Sequence, residues 1–149
     1  MNEIIQRVVN LYSHKPKITY KLGADSVEET NTPQLDCSAF MWRCMGERKY
    51  DSVKHVWRNT SWIWNDIQNE ETKFEKVHEL KDIQQGDVIV YGWEKGKAGH
   101  IAIINSVDDK GNIRGYDCSS SRNGIEFRLL NFFLKRNYVV GRYKKTLQA

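Results

Sequence analysis

Apolar side chains at Ile4, Ile5, Val8, Val9, Leu11 and Tyr12 recur at the spacing of one helix face, so the first dozen residues are expected to form an amphipathic helix that ends before Pro16. From Tyr20 to Gln34 the pattern lapses into polar residues and turn formers, among them Gly23, Asp25, Asn31 and Pro33, which reads as a loop. The run from Cys37 to Met45 is mostly apolar and suits a buried helix, with Asp36 as its N-cap and Gly46 as its stop. Between Asp51 and Glu71, Trp57, Trp62 and Trp64 sit among polar residues without a clear period, and only short helices are expected there. After Glu79 the pattern changes to short β-branched or aromatic runs bounded by turn residues. Asp87 to Tyr91, Ile101 to Val107, Ile113 to Cys118 and Tyr138 to Tyr143 each read as a strand. Asp109-Lys110-Gly111-Asn112 is a hairpin signal joining the second and third of these. Helices first and a meander of strands after them predict a single α+β domain over residues 1–149, in which a cysteine-bearing helix packs on an antiparallel sheet.

A chain of 149 residues can bury a core without disulfides or a metal. With 28% charged residues, 40% hydrophobic residues and two prolines, it is composed like an ordered globular domain. The net charge of +4 comes from 23 basic and 19 acidic residues mixed along the chain. No basic block marks a nucleic-acid or membrane surface, and neither partner is expected. The first residues lack the apolar core of a signal peptide, and no run approaches the ~20 apolar residues of a membrane span. The protein is therefore expected to be made in the cytoplasm and to reach any outside target after lysis or by specialised export. Three cysteines, Cys37, Cys44 and Cys118, cannot all pair, which fits reduced thiols.

A cysteine is a nucleophile as its thiolate, and a helix start favours that form through its unpaired amides and dipole. Cys37 has this position, and its own N–H would be placed to donate to the oxyanion formed on attack. Cys44 lies two helical turns further along the same face and Cys118 ends a strand, so both are expected in the core. His14, His55 and His78 sit in polar surroundings. His100 instead follows Gly96-Lys97-Ala98-Gly99 and opens the strand that continues with Ile101, where an imidazole can reach a helix start and act as a general base. Asp117, on the strand paired through the hairpin, is the candidate to orient that imidazole, with a backbone or water partner as the alternative. No Cys-x-x-Cys or His-x-x-x-His spacing and no glycine-rich phosphate loop occurs, and no metal or cofactor is expected.

Four segments in order, Tyr20-Lys21-Leu22-Gly23, Asp36-Cys37-Ser38-Ala39-Phe40, Gly86-Asp87-Val88-Ile89-Val90-Tyr91 and Gly99-His100-Ile101-Ala102-Ile103, resemble the NlpC-type family of papain-like cell-wall cysteine peptidases. The chain has Ala39 and Ala102 where that family usually has glycine, and Asp117 where histidine is frequent. The resemblance implies a papain-like core with Cys37, His100 and Asp117 as the catalytic set. It also implies that Tyr20, Asp36 and Ser38 help form the substrate pocket, with Tyr20 and Asp36 holding the free amine of a peptidoglycan stem peptide. Arg58 and Ser61, in Arg58-Asn59-Thr60-Ser61, would flank the groove. The implied reaction is cleavage of the amide between D-glutamate and a diamino acid. Rival readings are an amidase at the sugar-peptide link, an acyltransferase with the same dyad, or an inactive wall-binding module. A phage lysin, a delivered toxin with a partner immunity protein, and a cytoplasmic recycling enzyme all fit such a chain.

Overall fold

The computed structural model describes residues 2–70 and 72–144. Three helices, α1 (Glu3–Tyr12), α2 (Cys37–Cys44) and α3 (Thr60–Asn69), pack on one sheet. The short strands β1 (Thr19–Tyr20), β2 (Asp25–Ser26) and β3 (Gln34–Leu35) form a small sheet of their own, and β4 (Tyr50–Asp51) pairs with β5 (Val56–Trp57). The remaining strands are β6 (Phe74–Val77), β7 (Val88–Tyr91), β8 (His100–Val107), β9 (Ile113–Ser119), β10 (Gly124–Leu129) and β11 (Tyr138–Tyr143). They build an antiparallel sheet in the order β10-β9-β8-β7-β11-β6. Two 3₁₀ turns, Leu80–Asp82 and Asn131–Lys135, complete the chain. The α+β architecture of helices on an antiparallel sheet is the one expected from the sequence.

Both faces of the sheet are covered, and the period of two along a strand sorts its side chains between them. On β8, Ile101 and Ile103 join the core under the helices, whereas Ala102 and Ile104 pack on the other face with Leu130 and Phe133. Coverage of both faces also explains why β7 reads as an unbroken Val88-Ile89-Val90 run, all fully buried. Helix α2 lies on β8 and β9 and is buried almost throughout: Phe40, Met41 and Trp42 expose no surface. Each such side chain contributes about 1.5–3 kcal/mol of burial. The Trp42 indole also donates to the Arg58 carbonyl at 2.9 Å. The segment read as a loop before Cys37 is instead tied by β1 to β3, and α3 is one ten-residue helix where only short ones were expected. The hairpin signal between β8 and β9 is closed by bonds between Asp108 and Asn112, as its sequence suggests.

Candidate active site

The start of α2 is fixed by Asp36. Its backbone is extended and its carboxylate accepts the Ala39 N–H at 2.9 Å, the N-cap bond its sequence position suggests. The same carboxylate accepts the Gly23 N–H at 2.9 Å, the Ser38 hydroxyl at 3.2 Å and the Lys49 ammonium at 2.6 Å. Gly23 can make its contact because its φ of +81° is open to glycine. Cys37 therefore sits in the first helical turn, where its N–H has no intrahelical acceptor.

A cleft of about 370 Å³ opens over that turn, lined by Tyr20, Cys37, His100, Arg128 and the three serines Ser119, Ser120 and Ser121. His100 opens β8 at the rim, and Gly99 before it is held close to α3. A Cβ on Gly99 would lie 2.3 Å from Thr60 Oγ1 and 2.6 Å from the Tyr91 carbonyl. His100 Nε2 meets Asp117 Oδ2 at 2.7 Å, and the ring stacks on Phe133 with centroids 5.6 Å apart. Asp117 is fully buried and also receives Arg128 Nε on both oxygens at 3.1 Å. Burial alone would raise its carboxyl, but the bonds from His100 and Arg128 outweigh that and hold it below the usual carboxylate value. An ionised Asp117 only accepts, so Nε2 carries the proton in the neutral ring and Nδ1 keeps its lone pair for a proton from elsewhere.

Cys37 is 8% exposed, and its thiol is pushed up to about 12, first by burial and then by the Asp36 charge. Lys49 and the backbone amides of Ile101 and Ser38 act in the opposite sense without cancelling it. The resting group is a thiol, not a stored thiolate. With His100 replaced by alanine, so that no base assists the thiol, the carbamidomethylation rate of Cys37 by iodoacetamide, followed by peptide mapping, is accordingly expected to rise about tenfold per pH unit from pH 7 to 10. A rate already flat above pH 6 would contradict this account. The Tyr20 phenol is likewise pushed up to about 12, chiefly by burial and then by Cys37, and so stays a neutral donor.

Two other cysteines are core residues: Cys44 is fully buried, and the Cys118 thiol donates to the Leu35 carbonyl at 3.5 Å on the opposite face from Asp117. The structure places the other residues expected at the substrate as follows. Asp36 and Ser38 are 2% exposed and do not line the cleft, and Asp36 receives the Lys49 ammonium. Arg58 is 3% exposed, pairs with Glu47 at 3.0 Å and lies over the Trp42 ring. Ser61 accepts the Trp93 N–H at 3.2 Å and lines a separate hollow. Lys49 and Arg128 went unread in the sequence. Alternation along Ile125-Glu126-Phe127-Arg128-Leu129 was the available signal for the second.

A family model for the CHAP domain matches residues 27–118, well over half of the chain. The chain belongs to the CHAP family. CHAP domains form part of the papain-like cysteine peptidase and amidase superfamily, associated with the NlpC-type cell-wall hydrolases that the motifs resemble. The CHAP match contains Cys37, His100 and Asp117 and leaves Tyr20 and Arg128 outside it. Neither curated proteins nor solved structures returned a match. CHAP membership supports peptidoglycan hydrolysis as the activity, by a peptidase or an amidase, at the cell wall. Among the described residues no helix is long and apolar enough to cross a membrane.

Proposed function

We propose that this CHAP domain hydrolyses an amide of the peptidoglycan stem peptide through Cys37, His100 and Asp117. The observation that carries the reading is the 2.7 Å bond from His100 to a buried, ionised Asp117, in the cleft that also holds Cys37 at a helix start. His100 Nδ1 takes the thiol proton as sulfur attacks the amide carbonyl, which suits a thiol too weakly acidic to ionise alone. The N–H of Cys37 donates to the oxyanion, and the imidazolium is stabilised by Asp117. Collapse breaks the C–N bond, the imidazolium gives its proton to the leaving amine, and a thioester remains. His100 then deprotonates a water that attacks the thioester, releasing acid and restoring the thiol.

The bond we favour is that between D-glutamate and the diamino acid, on the strength of the motif resemblance. Mass spectrometry of purified muropeptides after incubation tests it. A new amino terminus on the diamino acid is expected. A free lactyl carboxyl on the sugar would instead make the protein an amidase, and transfer of the acyl group to an added amine would make it an acyltransferase. Unchanged muropeptides with a folded sample would leave a wall-binding module.

A further inference from the structure

Beside the cleft lies a second hollow of about 230 Å³ whose walls include Ser61, Trp64, Asn65, Trp93, Glu94 and Asn137. Its chemistry differs from that of a peptide groove. Trp93 is 66% exposed, a large apolar surface to leave in water on a loop. The loop is nevertheless held, because the Trp93 N–H donates to Ser61 Oγ, and the Trp64 indole is fixed by its 3.0 Å bond to the Asn137 carbonyl. The side-chain amides of Asn65 and Asn137 make no hydrogen bond among the described residues. Two oriented indoles with free amides and a carboxylate match a pyranose ring, which presents a C–H face to aromatic carbon and a rim of hydroxyl and acetamido groups to polar side chains.

The hollow and the cleft share a wall. Tyr91 lines the cleft and Gly92 the hollow, and the Gly99 backbone beside His100 packs against Thr60, which begins the helix carrying Ser61, Trp64 and Asn65. Arg136 spans this junction, with its guanidinium 4.1 Å over the Tyr91 ring and its Nε 3.6 Å from Glu94. Its Nη2 is buried without an acceptor among the described residues.

We infer that the hollow between Trp64 and Trp93 is a saccharide subsite that takes an N-acetylated pyranose of the wall glycan while the attached stem peptide enters the cleft. The choice of sugar rests on the proposed wall activity.

The test is equilibrium binding of the β-1,4-linked N-acetylglucosamine tetramer, followed by the indole N–H resonances of the five tryptophans. Saturable shifts confined to Trp64 and Trp93 are expected, with affinity lowered at least about tenfold in Trp93→Ala and kept in Trp57→Ala, whose indole stacks on Tyr50 instead. The absence of a saturable shift, or a Trp93→Ala protein that binds as tightly, would overturn the subsite. The tetramer has no peptide bond to cut, so a protein that binds it but leaves stem peptides intact would retain the subsite and lose the peptidase reading.

Discussion

Replacing His100 with alanine is expected to lower stem-peptide hydrolysis at pH 7 by about 10⁵-fold, close to the loss from removing the nucleophile itself. The size follows from the thiol. With its value pushed up to about 12, only roughly one Cys37 in 100,000 is thiolate at pH 7 without a base. His100 removes that penalty by taking the proton during attack. The residual activity of His100→Ala should therefore climb about tenfold per pH unit toward alkali, whereas that of the unmodified protein should not. The substitution also forfeits the stacking on Phe133, worth about 1 kcal/mol, so a thermal melt must accompany the assay. A His100→Ala protein with activity within tenfold of the original would exclude His100 as the base.

Asp117→Asn is expected to cost about 10²- to 10⁴-fold in hydrolysis and to destabilise the fold as well. An amide can accept from Nε2, yet it cannot stabilise the imidazolium, and its NH₂ can turn toward the ring and bind the wrong tautomer. The stability loss has a separate cause. Asp117 is fully buried, and Arg128, with 21% of its side chain exposed, is left without its counter-charge, which costs about 3 kcal/mol. Because the folded carboxyl lies below its unfolded value, its stabilisation is complete above about pH 4 and is lost as pH falls through the folded value. The difference in melting temperature between Asp117→Asn and the original protein should therefore be largest near neutrality and shrink in acid. A constant difference across pH 2–7 would mean that the aspartate acts by shape alone.

The proposed catalytic set, Cys37, His100 and Asp117, could be picked out because each member lies where local pattern is strongest. Cys37 follows a capping aspartate, His100 opens a strand whose next four residues are buried, and the hairpin between β8 and β9 carries Asp117 back beside it. Lys49 was not legible, since nothing local brings a residue in the loop after α2 to the Asp36 carboxylate. That contact is tertiary, and it makes Asp36 one half of an internal ion pair. Edge strand β6 was hidden by Glu75, exposed, and Lys76, half-buried, in the middle of a four-residue element. Helix α3 was obscured because the buried Asp66 looks like a surface residue. It binds the Thr72, Lys73 and Phe74 amides and so ties the helix to β6. Trp57, Trp62 and Trp64 blurred the period further by having three different fates, one exposed, one packed on Trp42 and one in the second hollow.

The most direct test of the central claim compares release of soluble fragments from purified cell wall by the original protein and by Cys37→Ala, each shown to be folded by its melt. Sustained release by the original protein and none above background by Cys37→Ala is the predicted result. Equal release by both, or none by either, would contradict a Cys37-dependent wall hydrolase.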